Sequence, residues 1–508
     1  LTDIVFVFEV HQPYRLRQDF FWEDRPFRRV SKASLFEHYF DVKVNREIFN
    51  RTCAKCYFPS NQILLNAIDK QKKTNNKVKV SFSLSGVFLE QCEQFNKDLL
   101  ESFRQLAETG CVEFLCQTYY HSLASFYPES GEFAEQVKKH RQTVKNLLGY
   151  KPLVFENTEL LYNNVIAKAT EEMGFKGIFA EGAERILQGK SPNYLYKPKN
   201  CGSLKVLLRN YKLTDDIGFR FSARVWGEWP LTAPKYASWL AATPGNYIAV
   251  FPDYETFGEH HWPESGIHDF LSFLPEEILK HPHMHMATPS EVVDRYSAIE
   301  EIDVPELGGT VSWADVKRDT SGWLGNTMQW AYYLSVRRLE PLVKETENEE
   351  MLRTWRLFQT SDHLYYMFTE SGGPGEVHSY FSPFRSAVDA YVTAQSALLD
   401  FESRTKQMAV AANEPFHFHT AKGEEYFTGV KAWSLKGFAK SLQTVNVKSL
   451  QFHSSNGDFE RWMDWSLGDS KLAGQLRKIR LSKIKEKELR RALVAAAEER
   501  LKEICGTA

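Results

Sequence analysis

Short runs of buried character alternate with amphipathic stretches through the first 290 residues of this chain. The runs are IVFVFEV (4–10), VKVSFSL (78–84), VEFLCQT (112–118), LVFENTE (153–159), GIFAEG (177–182), IGFRFS (217–222) and YIAVFPD (247–253). Between them lie helical patterns such as 267–278, where Ile267, Phe270, Leu271, Leu274 and Ile278 share one face. Strands that are apolar on both faces, separated by helices, describe a parallel sheet covered on both sides. Seven of them predict an α/β fold built as a seven-stranded (β/α) barrel, with a doubly wound open sheet as the competing arrangement. The long connections at 11–77 and 185–216 read as inserted loops over the barrel mouth, the second punctuated by Pro192, Pro198 and Gly202.

Beyond about residue 305 the strand pattern fades. In 385–405, Val388, Tyr391, Val392, Leu398 and Leu399 recur at helical spacing, so 305–412 reads as a helical domain packed on the barrel. ANEPFHFH (412–419) interrupts that helicity, and 413–508 reads as a small C-terminal module, with core roles for Trp462 and Trp465. Its last helix carries one stripe of Leu489, Leu493, Ala497, Leu501 and Ile504 amid charged residues. The division expected is thus 1–304, 305–412 and 413–508.

At 508 residues the chain exceeds what one core serves, which agrees with several modules. A net charge of −2 gives no electrostatic case for nucleic acid or an acidic membrane, and no apolar run is long enough for a membrane span. Aromatic residues at 14%, with 12 Trp, suit a cleft in which flat sugar faces stack on rings. Seven cysteines, odd in number and irregularly spaced, favour reduced thiols, and with a start that leads straight into a strand they point to a cytoplasmic protein. The lone Cys53-Ala-Lys-Cys56 has no second ligand pair and reads as buried thiols rather than a zinc site. No metal and no cofactor are expected, and the oligomeric state is open.

In parallel barrels the chemistry stands at the carboxyl ends of the strands. Here those ends are Glu9-Val10-His11, Tyr119-Tyr120-His121, Glu156-Asn157-Thr158-Glu159 and Asp253-Tyr254-Glu255. Two carboxylates from different strands facing one cleft are what glycosidic cleavage needs, though periodicity does not say which two. A second reading starts from Asp253, His260 and His261 as metal ligands of a sugar deacetylase, but adjacent histidines point to different sides of a chain.

EVHQPYRL (9–16), GCVEFLCQTYYHSL (110–123), VFENTELLYNN (154–164), FPDYETFGEHHW (251–262) and TVSWADVKRDTSGWLGNTMQ (310–329) follow one another in the order and spacing of five known sequence regions. Together they resemble glycoside hydrolase family 57, most nearly its archaeal alpha-amylase-like branch. The resemblance implies a retaining enzyme acting on alpha-glucans, with Glu159 as nucleophile and Asp253 as proton donor. It further implies sugar contacts for His11, Glu113, His121, Glu255, His260 and Asp315, and stacking positions for Trp226, Trp262, Trp313 and Trp323. His260 stands where some transferase relatives have Trp. The activity implied is hydrolysis of alpha-1,4 bonds in glycogen, starch or maltodextrin. A 4-alpha-glucanotransferase and a non-catalytic glucan-binding protein are the alternatives.

Overall fold

The computed structural model describes residues 1–20, 35–72, 74, 76–314, 316–370, 382–482 and 484–505. They form two compact units, one of Leu1–Gln18, Phe40–Trp330 and Gln359–Tyr391, the other of Asp19–Tyr39, Ala331–Phe358 and Val392–Ala508.

Ten strands lie in the first unit: β1 (Thr2–Val10), β2 (Val80–Leu84), β3 (Val112–Phe114), β4 (Val154–Phe155), β5 (Gly177–Glu181), β6 (Tyr196–Pro198), β7 (Lys205–Arg209), β8 (Tyr247–Val250), β9 (Met284–Met286) and β10 (Glu300–Ile302). β1 pairs with β2 from Val7↔Ser81 to Val10↔Leu84, and with β8 from Asp3↔Tyr247 to Phe6↔Val250. From β2 the parallel pairing continues to β3, and a bridge between Cys116 and Phe155 carries it on to β4. There the Cys116 amide donates to Val154 O at 3.0 Å and the Glu156 amide to Cys116 O at 2.8 Å. Parallel pairs β4–β5, β5–β7 and β7–β8 complete the circuit. Seven strands therefore close a ring, while β6, β9 and β10 pair outside it.

One of the expected strands is not a strand, and another takes its place in the ring. IGFRFS (217–222) is not extended: it begins at the end of the helix Tyr211–Gly218 and continues as a turn. Ile217 and Phe221 are buried against the helical layer and Phe219 is exposed, so the apparent alternation was helix-end packing. The strand in its place is β7, KVLLR, inside the stretch read as an inserted loop; β6 lies there too. Pro198 and Gly202 next to it had disguised a continuous apolar run.

Alternation along each strand decides what faces the axis. Ile4, Phe6 and Phe8 pack outward against helical residues such as Phe88, Phe103 and Leu274. Val5, Val7, Leu115, Val154, Phe179, Leu207, Ala249 and Phe251 form a separate buried cluster, the interior of the ring. Two residues further along each strand, the same inward register delivers Glu9, Gln117, Glu156, Glu181, Arg209 and Asp253, with Ser83 from β2. One polar side chain per strand thus caps the apolar interior. Ser85, Asn163 and Asn210 start the helices that follow, each accepting from an amide three residues on, which is worth about 1 kcal/mol apiece.

The second unit contains an antiparallel pair, β11 (Ala411–His419) and β12 (Phe427–Ser434). Its core includes Phe416, Phe418, Phe438, Phe459 and Trp462, whose indole N–H donates to Glu414 O at 2.7 Å. Trp465 is 90% exposed, so the core role expected of it does not hold. The long helix Ala387–Ala409 is present, but Val388 and Leu399 face solvent and its buried face is Ala390, Ala394, Ala397, Leu398 and Phe401.

Candidate active site

A cavity of about 1020 Å³ opens over the polar layer, within the first unit. Its lining includes Glu9, His11, His121, Glu159, Arg209, Asp253, Glu255, His260, Trp313, Trp323 and Asp362.

Glu159 reaches it from an unusual backbone. After β4 the chain makes one short turn, Thr158–Leu160, in which Glu159 has φ +61° and Leu160 φ +50°. Left-handed backbone at a non-glycine residue costs on the order of 1 kcal/mol or more and persists where surroundings over-determine it. Here Ser312 Oγ and the Trp313 amide donate to the Glu159 carbonyl at 2.8 and 3.3 Å, and Asn157 Nδ2 ties the turn to Leu161 O at 2.8 Å. The carboxylate is clamped as firmly. Oε2 accepts from the Trp313 indole N–H at 2.7 Å, Oε1 from Ser361 Oγ at 2.7 Å, and His121 Nε2 lies 3.4 Å from Oε1.

Asp253 continues the inward register of β8 and bridges to Glu9. Burial, then the nearby charge of Glu159, push its carboxyl up to about 7. Glu255, in the following turn, accepts from the Tyr57 hydroxyl and, at 3.5 Å, from Gln12 Nε2; burial and Asp253 push it up to about 8. The same turn fits only a glycine at 258, where φ is +130° and a Cβ would stand 2.0 Å from Lys55 O.

His11 is neutral and oriented. The ionised Asp362 carboxylate only accepts, so the Nε2 proton is donated to its Oδ2 at 2.9 Å, and in the neutral ring Nδ1 accepts from the Ser85 hydroxyl at 2.7 Å, whose oxygen also accepts from the Phe88 amide. Burial and the stacked ring of His121, 3.9 Å away, hold His11 down to about 4. Burial opposes ionisation of Asp362, but His11 and His121 outweigh it and keep that carboxyl below the usual range. At the other side of the cavity Arg209 donates to Phe251 O, Glu181 and Asp215 at 2.8, 2.8 and 2.9 Å, and Arg318 pairs with Asp215 at 3.0 Å. Truncating Arg209 leaves buried carboxylates short of a partner, and an Arg209→Met variant is expected to lose about 3 kcal/mol of unfolding free energy in urea.

Most of the expected site residues meet at this cavity, but some do not. Glu113 lies four residues before Gln117 on the same inward register, two layers below the mouth; its Oε2 accepts from the Ser290 amide at 2.9 Å, away from the cavity. Trp226 is half-buried against Trp239, and Trp262 is 60% exposed beneath Lys55, neither lining the cavity. Asp315 lies outside the described residues. His261 Nδ1 meets Ser222 Oγ at 2.8 Å while its Nε2 faces Ile217 O at 2.9 Å, turned from Asp253 toward the end of a helix. Cys56 donates to Tyr254 O at 3.1 Å, and burial pushes the Cys53 thiol up to about 12. Sequence reasoning missed Ser361 and Asp362, which lie in a short helix with no strand end to mark them, and Arg209, which does end a strand.

A closed parallel ring with paired carboxylates at one mouth, one of them held near neutrality, is the apparatus of a glycosidase. The profile of glycosyl hydrolase family 57 matches residues 5–305, and that of a family of unknown function, DUF5752, matches 396–498. A protein of Methanocaldococcus jannaschii described as "Putative alpha-amylase" is 46% identical over 413 residues, which is 80% of this chain and 85% of the other. Two solved structures share the fold: a 4-alpha-glucanotransferase from Thermococcus litoralis (TM-score 0.54, 16% identity, 82% of this chain and 61% of that one) and a branching enzyme from Thermococcus kodakaraensis (0.54, 15%, 81% and 90%). This chain belongs to glycosyl hydrolase family 57 and is a carbohydrate-active enzyme.

Proposed function

We propose that the protein hydrolyses alpha-1,4-glucosidic bonds of glycogen, starch or maltodextrins by double displacement, with Glu159 as nucleophile and Asp253 as acid and base. The observation that carries this is the contrast between two carboxyl groups over one cavity. Glu159 is surrounded by donors, as a carboxylate that must attack is; Asp253 is held up to about 7 and keeps a proton to give.

Glu159 attacks the anomeric carbon while Asp253 protonates the departing 4-oxygen of the next glucose. Once Glu159 is esterified its charge is gone, the Asp253 carboxyl becomes more acidic, and the ionised Asp253 takes a proton from the incoming water. His11, oriented by Ser85 and Asp362, and Glu255, oriented by Tyr57, stand where sugar hydroxyls would be held, and Trp313 offers a ring face; Trp323, only 2% exposed and packed near Tyr365, does not take the stacking role expected of it.

The second reading is transfer to another glucan instead of water, favoured by the fold shared with a glucanotransferase. Incubation with pure maltoheptaose separates the two. Hydrolysis raises the number of reducing ends in step with the loss of substrate; a product ladder with constant reducing ends would overturn the hydrolase assignment in favour of transfer.

A further inference from the structure

The polar layer beneath Glu159 is wired in one direction. Gln117 Nε2 donates to Glu9 Oε1 and to Ser83 Oγ, both at 2.8 Å, and Ser83 Oγ passes its proton to Glu156 Oε2 at 3.0 Å. With both amide hydrogens engaged, the Gln117 carbonyl is turned to His121, whose Nδ1 donates to it at 2.8 Å. A ring whose Nδ1 carries a proton can face the Glu159 carboxylate favourably only if Nε2 is protonated too, and Nε2 lies 3.4 Å from Glu159 Oε1. Gln117 is fully buried and does not line the cavity. The residue at its far side, Glu9, has its second oxygen without a hydrogen-bond partner among the described residues.

We propose that Gln117 is a positioning residue that holds His121 as a double donor against Glu159, and that this pair serves release of the sugar from the nucleophile rather than its capture. The inference rests on Glu159 being the nucleophile. In capture, the negative charge on Glu159 disappears into the new bond to the anomeric carbon, so a donor aimed at it is weakened on the way to the transition state. In release, water bonds to the anomeric carbon, the bond to the Glu159 oxygen breaks, its electron pair returns to the carboxylate, and the water proton goes to Asp253. There the donor is strengthened, and only interactions that strengthen toward the transition state accelerate a step.

A pH signature accompanies the geometry. Burial alone would lower His121, but Glu159, Asp362 and Glu156 outweigh it and raise it, with Glu9 at 3.7 Å on the Nδ1 side and neutral His11 stacked above. A raised group is protonated below its folded value, so the pair's contribution to release is full there, and once Asp253 is ionised release declines as pH rises past that value. Loss of the Gln117 acceptor moves that decline to lower pH.

The test traps the intermediate. A 5-fluoro-alpha-glucosyl fluoride supplies fluoride as leaving group and yields a slowly released glycosyl-enzyme, so formation and release are read separately by intact-protein mass. In the full-length Gln117→Met variant, release is expected to slow about tenfold, the weight of one charge-assisted hydrogen bond, while formation changes by less than about threefold. Release at the wild-type rate, or formation and release slowed by one factor, overturns the proposal. A wild-type adduct whose release shows no alkaline decline overturns it without any variant. Absence of label on Glu159 in the wild type is a different failure, that of the nucleophile assignment, and the proposal falls with it.

Discussion

Replacement of Glu159 by Ala is expected to reduce glucan hydrolysis by at least about 10⁴-fold while the protein still folds. The side chain points into the cavity and contributes nothing to the apolar interior of the ring, so the expected cost to stability is small and its sign is favourable at the backbone only if the left-handed turn relaxes. Azide is smaller than the missing carboxylate and attacks from the same face, so in the alanine variant it should restore turnover of an activated aryl alpha-glucoside and give the glycosyl azide of inverted configuration. A variant that keeps near-normal hydrolysis would dismiss Glu159 as nucleophile; rescue with retained configuration would point to attack from the opposite side.

The second large effect is that of Asp253→Asn, for which kcat/KM on a natural glucan is expected to fall by about 10²–10⁴-fold. An aryl glycoside whose leaving group needs no proton should form the glycosyl-enzyme at a nearly normal rate, then stall, because no base activates water. The wild-type pH profile carries the same information. A proton donor works while it is protonated, and burial together with the Glu159 charge holds Asp253 up to about 7, so kcat/KM should decline as pH rises through about 7. A decline beginning near pH 4, the range of an unperturbed carboxyl, would remove Asp253 from the role. If Glu255→Gln erased activity while Asp253→Asn did not, the two acids would have to exchange parts.

How much of this was readable in advance follows from period and distance. The strands that end in acids announced themselves, because Glu9 and Asp253 follow directly on apolar runs whose alternation points them inward. β7 obeys the same rule, with Arg209 at its end, yet the prolines and glycine around it masked a run of only five residues. Glu113 shows the opposite error: a charged residue on an inward register marks the mouth only at the strand's last inward position, and Glu113 is two inward positions too early. Ser361 and Asp362 could not have been read at all. They sit 202 residues beyond Glu159 and 351 beyond His11 respectively, on a short helix whose pattern says only that one face is buried.

The clamp on Glu159 has a consequence for how the chain can be divided and recombined. The recognisable family segment ends at residue 305, and the whole ring with both carboxylates lies inside it. The donors on the Glu159 carboxylate, Trp313 and Ser361, and the carboxylate that orients His11, Asp362, all lie after it. A chimera joined at that boundary would inherit both carboxylates without the groups that hold Glu159 and His11 in place. The set of groups that act on the two carboxylates is therefore longer than the family segment and reaches at least to the helix that carries Asp362.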